Sequence, residues 1–158
     1  MIFVTVGSDI PFDRLVRTVD RWANQRDRRD VFAQIGHGGW RPEFIEHAAM
    51  LEPAEFTRRL TASRIVVGHA GMGTILSALQ YSKPILVMPR WGALGETRND
   101  HQFATARQLQ EMRKINVAFD DDELFESLDR IDELTPNHPI PPHADEGLIR
   151  ALRDFIHS

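Results

Sequence analysis

A chain of 158 residues, of which 42% are hydrophobic and 27% charged, has the length and balance of one soluble globular domain, so disordered and fibrous proteins are excluded. The absence of cysteine excludes disulfide scaffolds, thiol nucleophiles and cysteine zinc sites. The formal net charge of −4 gives no general attraction to nucleic acid, and no apolar run approaches the about 20 residues of a membrane span. We therefore expect a cytoplasmic protein with no nucleic-acid partner.

Short apolar runs alternate with stretches of helical periodicity along the chain. The sequence predicts strands at residues 2–6, 31–35, 46–50, 64–68, 85–88 and 115–119. Helices are predicted at residues 12–22, from residue 53 onward, at 75–79 and at 100–112. A proline-rich stretch at 136–142 is predicted to be a linker that carries a last helix, at about 145–156, away from the preceding element.

These strands lack the polar alternation of a half-exposed sheet, and helical stretches separate them. Such a pattern is typical of a parallel sheet covered on both faces. The sequence therefore predicts one doubly wound, Rossmann-like α/β domain over residues 1–158.

Basic residues concentrate between Arg14 and Arg41. Two interpretations remain open: a helix face exposed to water, or a surface that meets anionic lipid headgroups or an acidic partner. The members of this basic cluster are Arg17, Arg21, Arg26, Arg28 and Arg29.

Glycine-bearing loops follow three predicted strands, after Val6, Ile35 and Val67. In an open parallel sheet, ligands bind outside the carboxyl ends of the strands, where these loops meet. The third loop contains Gly71, Gly73 and Thr74 at the start of a helix, and such a helix start favours an anion such as diphosphate. His69 is placed to donate a further hydrogen bond. Glycines after a strand serve tight turns and close packing equally well, so this pattern alone leaves the phosphate interpretation open.

A longer motif is more specific. It reads His-Ala-Gly-Met-Gly-Thr from His69, then Lys-Pro-Ile-Leu-Val-Met-Pro-Arg from Lys83, then Asn-Asp-His-Gln from Asn99. This span resembles the donor-binding, C-terminal half of family-28 GT-B glycosyltransferases. It is most similar to the stand-alone donor subunits of two-part UDP-sugar transferases, which act in exopolysaccharide or dolichol-linked GlcNAc synthesis. The segments 4–8, 12–15 and 34–36 are similar to the same subunits, so the resemblance extends from residue 2 to about 120.

The resemblance implies a UDP-sugar site. His69 would stabilise the leaving group, the helix start after it would hold the diphosphate, and backbone near Met50 and Leu51 would bind uracil. Residues Asp100, His101 and Gln102 would face the hexose hydroxyls. The complete set of implied binding residues is Gly7, Ser8, Gly36, Met50, Leu51, His69, Gly71, Met72, Gly73, Thr74, Ser77, Glu96, Asn99, Asp100, His101 and Gln102.

One position departs from the family pattern. The family places a glutamate that binds the ribose hydroxyls eight residues after the motif histidine, where this chain has Ser77. Either the ribose contact is weaker, or another carboxylate, for which Glu96 is the candidate, reaches the ribose.

Several residues of this region have structural interpretations as well. His101 also suits an exposed helix surface, and Asn99 with Asp100 also suits a helix N-cap. Arg90 and Trp91 are candidates for lining the sugar pocket, and a loop aromatic such as Trp91 equally suits a contact with a partner. The run from Asp120 to Asp122 has the Asp-x-Asp spacing of metal-dependent transferases, but helix capping explains it better, so we expect no metal site.

The resemblance implies an enzyme that needs no cofactor or metal and stabilises the departing UDP with protein donors. The general base, the lipid-linked acceptor and a membrane anchor would belong to a partner subunit, with this domain at the inner face of the membrane. A non-catalytic nucleotide-binding regulatory module is the alternative. A dinucleotide oxidoreductase is disfavoured, because the loop after the first strand lacks Gly-x-Gly-x-x-Gly.

Overall fold

Buried apolar strands form the centre of the molecule, whose computed structural model describes residues 1–7, 10–97, 101–111 and 115–135. The strands within those residues are β1 (Ile2–Thr5), β2 (Val31–Gln34), β3 (Glu46–Ala48), β4 (Ile65–His69), β5 (Ile85–Met88) and β6 (Asn116–Val117). The helices are α1 (Asp13–Gln25), α2 (Pro53–Ala62), α3 (Met72–Gln80), α4 (His101–Glu111) and α5 (Asp121–Asp129), with 3-10 turns at Gly92–Leu94 and Ile131–Glu133.

The strands pair in parallel in the order β3-β2-β1-β4-β5-β6. Ile2 of β1 lies between Val31 of β2 and Ile65 of β4, so the first strand is central. The chain builds outward from β1 to β3 and then returns to the other side of β1. This order confirms the predicted doubly wound, Rossmann-like sheet, and it places a crevice where the connections from β1 and β4 diverge.

Helices cover both faces of the sheet, because alternate strand residues point to opposite sides. Ile2 and Val4 belong to a core that includes Leu15 and Trp22 of α1. Phe3 belongs to a second core on the other face, with α2, α3 and α4. Both faces are therefore apolar, which explains why the strands show no polar alternation in the sequence.

Most predicted elements are confirmed with small shifts at their ends. Helix α2 begins at Pro53, where a missing N–H costs nothing. The outermost strands β3 and β6 are shorter than predicted, since each pairs on one side within the described sheet. The predicted linker at 136–142 and the last helix at 145–156 lie outside the described residues.

Candidate functional site

The imidazole of His69, at the end of β4, lies between two glycines. A Cβ atom on Gly7 would stand 2.6 Å from the ring nitrogen Nε2, and one on Gly71 would stand 2.1 Å from Cε1. Both distances are far below van der Waals contact, so any side chain at either position would displace the ring. We refer to Gly7 and Gly71 as the glycine clamp. Because both positions are glycine, the ring has room to lie at the carboxyl edge of the sheet.

Helix α3 starts immediately after the clamp. Gly71 is its N-cap residue and carries no side chain to cap the first turn, and the helical hydrogen bonds begin with Ile75 N–H donating to the Gly71 carbonyl at 3.1 Å. The N–H groups of Met72, Gly73 and Thr74 therefore precede the hydrogen-bonded ladder. This is the positive end of the helix dipole, which attracts anions.

An open cavity of about 490 Å³ lies in front of the clamp and the start of α3. Its volume is in the range of small-molecule sites. The lining residues come from the ends of β1, β2 and β4, from the segment after β3, and from the first turns of α2 and α3: Gly7, Gln34, Met50, Leu51, Pro53, Phe56, Thr57, His69, Gly71, Met72, Gly73, Thr74 and Ser77. The cavity thus has the position that a doubly wound sheet favours for ligands.

His69 is uncharged at neutral pH. Burial lowers its pKa from 6.5 to about 3, and the cation of Arg90 contributes to the same shift. A neutral imidazole carries one N–H donor and one acceptor nitrogen. His69 is therefore suited to donate a hydrogen bond to a ligand rather than to pair with it as an imidazolium.

Gln102, on the first turn of α4, contacts the other side of the His69 ring. Its amide nitrogen lies 3.3 Å from His69 Nδ1, and its amide oxygen accepts a hydrogen bond from the backbone N–H of Arg90 at 3.3 Å. On the opposite side, the Thr74 hydroxyl lies 3.4 Å from His69 Nε2. Gln102 is behind the histidine rather than among the lining residues of the cavity, so its contact with a hexose stays a prediction.

Arg90 connects the loops around the site through hydrogen bonds to their backbone carbonyls. Its guanidinium donates to the carbonyls of Val6 at 2.7 Å, Ile10 at 2.6 Å and Pro11 at 3.0 Å, and its side chain is buried. These bonds connect the end of β5 to the segment after β1. The structure does not place Arg90 in the lining of the cavity, where a sugar-pocket residue is expected, because its charge is occupied inside the domain.

Trp91 is also occupied within the domain. Its ring packs on Phe103 of α4 with centroids 4.5 Å apart, and its indole N–H donates to the Phe119 carbonyl at 3.2 Å. Trp91 is half-buried and anchors the loop after β5.

The structure does not bring Glu96 to the cavity. Both of its carboxylate oxygens accept hydrogen bonds from Arg14, each at 2.9 Å, and one also accepts from the Trp91 N–H. Glu96 therefore does not replace the family glutamate in this structure, because its charge already neutralises an arginine on α1. Gly36 is likewise outside the lining, since its backbone N–H donates to the Ala49 carbonyl and its Cα faces Pro11.

The remaining predicted residues divide into two groups. The cavity brings together Gly7, Met50, Leu51, His69, Ser77 and the segment 71–74, as the resemblance implied. His101 lies on the exposed surface at the start of α4, and Ser8, Asn99 and Asp100 lie outside the described residues.

Four lining residues were not predicted from the sequence. Gln34 ends β2, and Pro53, Phe56 and Thr57 form the first turns of α2. The signal available was positional: Gln34 is the last residue of β2, and α2 is the helix that follows β3 from the carboxyl edge of the sheet. Gln34 is held by the Thr5 hydroxyl, which donates to its amide oxygen at 2.7 Å.

The basic cluster on and after α1 is largely paired within the domain. Arg26 binds Asp129, Arg28 binds Asp30 and Asp132, and Arg29 binds Asp27. The other two members stack on aromatic rings, Arg17 on Trp40 and Arg21 on Phe125. Local carboxylates thus offset much of the positive charge, which favours the interpretation as a water-exposed helix face.

The acidic run after β6 is a helix cap, as predicted. The Asp120 carboxylate accepts a hydrogen bond from the Glu123 N–H at 2.8 Å at the start of α5. Across the part of the chain that the structure describes, no helix is both long and apolar enough to cross a membrane.

Comparison with known proteins agrees with this geometry. Residues 1–140 match the model of the glycosyltransferase family 28 C-terminal domain. The chain belongs to this family. The match includes the cavity, the glycine clamp and all six strands.

A curated relative of this family-28 domain is the UDP-N-acetylglucosamine transferase subunit ALG13 of Eremothecium gossypii. The two are 34% identical over 98 residues, which is 61% of this chain and 46% of the relative. The chain therefore spans about half the length of the curated relative that it matches.

Solved structures share the fold of the family-28 domain. An NMR structure of ALG13 superimposes with a TM-score of 0.65 at 20% identity, and the alignment covers 99% of this chain and 96% of that one. The glycotransferase of kitacinnamycin superimposes with a TM-score of 0.60 at 21% identity, covering 98% of this chain but 39% of the other. The domain thus corresponds to a whole chain in one case and to part of a larger chain in the other.

Proposed function

We propose that this domain is the donor-binding catalytic subunit of a two-component glycosyltransferase, which transfers a hexose from a UDP-sugar to a lipid-linked glycan acceptor. The observation that carries the proposal is the meeting of a neutral histidine, His69, with the N-terminus of α3 in one cavity at the carboxyl edge of the sheet. Both groups offer hydrogen-bond donors at a place where a diphosphate would accumulate negative charge.

The reaction itself needs few groups from this chain. The acceptor hydroxyl attacks the anomeric carbon of the sugar and gives its proton to a general base, the bond from that carbon to the diphosphate oxygen breaks, and UDP departs with the electron pair. The N–H groups at the start of α3 and the His69 ring stabilise the oxygens of the departing diphosphate. No metal or other cofactor takes part in this proposal.

The general base belongs to a partner in this proposal. Among the described residues that line the cavity there is no aspartate or glutamate, and a histidine with a pKa of about 3 is a poor base at neutral pH. The relative from Eremothecium gossypii is itself a transferase subunit, which supports an enzyme of more than one chain. A membrane-anchored partner would supply the base and the acceptor and would hold this domain at the cytoplasmic face of the membrane.

The partner would also decide which glycan grows, an exopolysaccharide or a similar lipid-linked polymer. The relative is a UDP-N-acetylglucosamine transferase subunit, which makes this nucleotide sugar the first donor to test. In this proposal the hexose would be contacted by residues 100–102, as the resemblance implies.

Calorimetry with UDP, UDP-N-acetylglucosamine, UDP-glucose, ADP and GDP tests the binding half of the proposal. We expect UDP and at least one UDP-sugar to bind, and ADP and GDP to bind far more weakly. His69→Ala and Thr74→Val should each weaken UDP binding, by about tenfold for the loss of one hydrogen bond to a charged group. Ser127→Ala, on α5 away from the cavity, is the control.

Reconstitution tests the catalytic half. The domain is co-expressed with candidate membrane-anchored subunits, and UDP release is measured with a lipid-linked acceptor in vesicles. Turnover that requires both chains supports the proposal. Absence of UDP binding would refute it, whereas binding without turnover with any partner would favour the non-catalytic nucleotide-binding module.

A further inference from the structure

The orientation of the Gln102 amide is determined by its neighbour on β5. The backbone N–H of Arg90 can only donate, so the amide oxygen of Gln102 must face it, at 3.3 Å. The amide NH₂ group then faces His69 Nδ1, also at 3.3 Å. Rotating the amide by half a turn would set two N–H donors against each other at Arg90, and this opposition disfavours the alternative.

An NH₂ group beside Nδ1 determines where the imidazole proton resides. An amide nitrogen donates and does not accept, so Nδ1 must present its lone pair. Because His69 is neutral, its single proton is then on Nε2. A Cβ on Gly7 or Gly71 would overlap the ring, so the glycine clamp leaves the space that this ring orientation needs.

We propose that Gln102 is a positioning residue that keeps the proton of His69 on Nε2, so that the ring offers an N–H donor to an anionic oxygen of a nucleoside diphosphate. This inference rests on the proposed function for its ligand. In the opposite tautomer, the Nε2 lone pair would face the diphosphate and repel it. The backbone of Arg90, the amide of Gln102 and the ring of His69 thus form a directed chain of hydrogen bonds that ends at Nε2, next to the Thr74 hydroxyl at 3.4 Å and the cavity.

This role differs from the hexose contact that the resemblance implied for Gln102. A residue that only contacts the sugar would affect binding of a UDP-sugar and leave binding of UDP unchanged. A residue that sets the histidine tautomer affects both, because the diphosphate is common to the two ligands. UDP is therefore the informative probe.

The tautomer is measured directly by long-range ¹H–¹⁵N correlation NMR on protein labelled at histidine nitrogen, without added nucleotide. The chain has seven histidines, and the His69→Gln spectrum identifies the signals of His69 by their loss. We expect the Nε2–H pattern in the wild type. Gln102→Met, which keeps the length of the side chain but removes the donor, should give a mixture of tautomers. Gln102→Glu, whose carboxylate accepts from Nδ1–H, should shift the proton toward Nδ1.

Calorimetry with UDP supplies the second readout. Both Gln102 variants should bind UDP about tenfold or more weakly, as expected when a hydrogen bond to a charged group is lost. Gln108→Met, at an exposed position of the same helix, should leave the His69 signals and the UDP affinity unchanged. Thermal unfolding of each variant shows that it is folded.

Two results would overturn the inference: an Nδ1–H tautomer in the wild type, or a Gln102→Met variant whose tautomer and UDP affinity match the wild type. Failure of the wild type to bind UDP would instead refute the proposed function. In that case the tautomer spectra still decide whether Gln102 controls the proton on His69.

Discussion

Arg14 on α1 and Glu96 in the loop after β5 form a two-pronged ion pair, with the guanidinium Nε and Nη2 atoms each 2.9 Å from one carboxylate oxygen. The two residues are 82 positions apart in the sequence. Their side chains are only 17% and 13% exposed, so water screens the pair less than it screens a surface ion pair. The pair fixes the loop that precedes α4 to the first helix of the domain.

Replacing Glu96 by glutamine tests whether this carboxylate is structural. We expect the free energy of unfolding to fall by about 1–2 kcal/mol, because Arg14 loses a partly buried charge partner and keeps Asp121. UDP affinity should change by less than twofold, since Glu96 does not line the cavity. Urea unfolding and calorimetry give the two values. A large loss of UDP affinity at unchanged stability would restore Glu96 as a nucleotide contact.

Arg90→Met removes the donors that bind the carbonyls of Val6, Ile10 and Pro11. The free energy of unfolding should fall by about 2–4 kcal/mol, because one buried and two partly buried carbonyls lose their hydrogen bonds to a charged group. The pKa of His69 should rise at the same time, since the Arg90 cation contributes to lowering it. Arg90→Lys retains the charge but lacks the guanidinium fork. Its free energy of unfolding should also fall, but the pKa of His69 should rise less than in Arg90→Met. NMR titration of His69 in both variants distinguishes the two effects.

The low pKa of His69 predicts a pH dependence of stability. In the unfolded chain this imidazole binds a proton as the pH falls below 6.5, while in the folded protein it does so only near pH 3. The unfolded state therefore gains protons first, and the free energy of unfolding should fall as the pH drops through this window. In His69→Gln the free energy of unfolding should depend less on pH between pH 6.5 and 4. Urea unfolding at several pH values measures this dependence. Parallel curves for the two proteins would contradict the buried, neutral histidine.

Two glycines at the start of α3, Gly71 and Gly73, offer a matched pair of substitutions. Gly71→Ala places a Cβ 2.1 Å from the His69 ring, and overpacking of this kind costs about 1–3 kcal/mol of stability. Gly73→Ala has no atom within 4 Å of its new Cβ, so the protein should keep its stability or gain slightly from the better helix propensity of alanine. Thermal unfolding of the two variants compares them. Equal stability would show that the ring moves away from Gly71 at no cost.

Ser77→Glu restores the carboxylate that the family places at this position. Ser77 lines the cavity, so the new side chain is on the same helix face as the proposed nucleotide. We expect the ratio of UDP affinity to 2′-deoxy-UDP affinity to increase several-fold, because only the ribose can donate a 2′-hydroxyl hydrogen bond to it. Ser77→Gln is the uncharged control and should give a smaller increase. An unchanged ratio would mean that the ribose is bound elsewhere.

The fold could be predicted from the sequence because its signals are local. Runs such as residues 65–67 are apolar without interruption, and Pro53 and Asp120 mark helix starts by their own chemistry. The ends of β3 and β6 were harder, since an outer strand ends where its single neighbour stops pairing, and the sequence of one strand does not contain that information.

The site was predictable in part for the same reason. His69 and the segment 71–74 are close in the sequence and form one turn, so the motif alone predicts that they lie together. The partners of Glu96, Arg90 and Gln102 were not predictable, because they belong to other elements that packing brings together. Gln34 and Thr57 were missed since no local pattern distinguishes a polar residue that lines a cavity from one that faces water.

The bonds between α1 and α5 bear on the order in which the protein forms during synthesis. The Trp22 indole N–H and the Arg26 guanidinium both bind Asp129, more than 100 positions later in the chain. A nascent chain that has emerged only as far as β5 holds a complete α1 whose tryptophan and arginines have no acidic partner from α5. These partners of the α1 side chains are therefore present only once α5, at residues 121–129, has been synthesised.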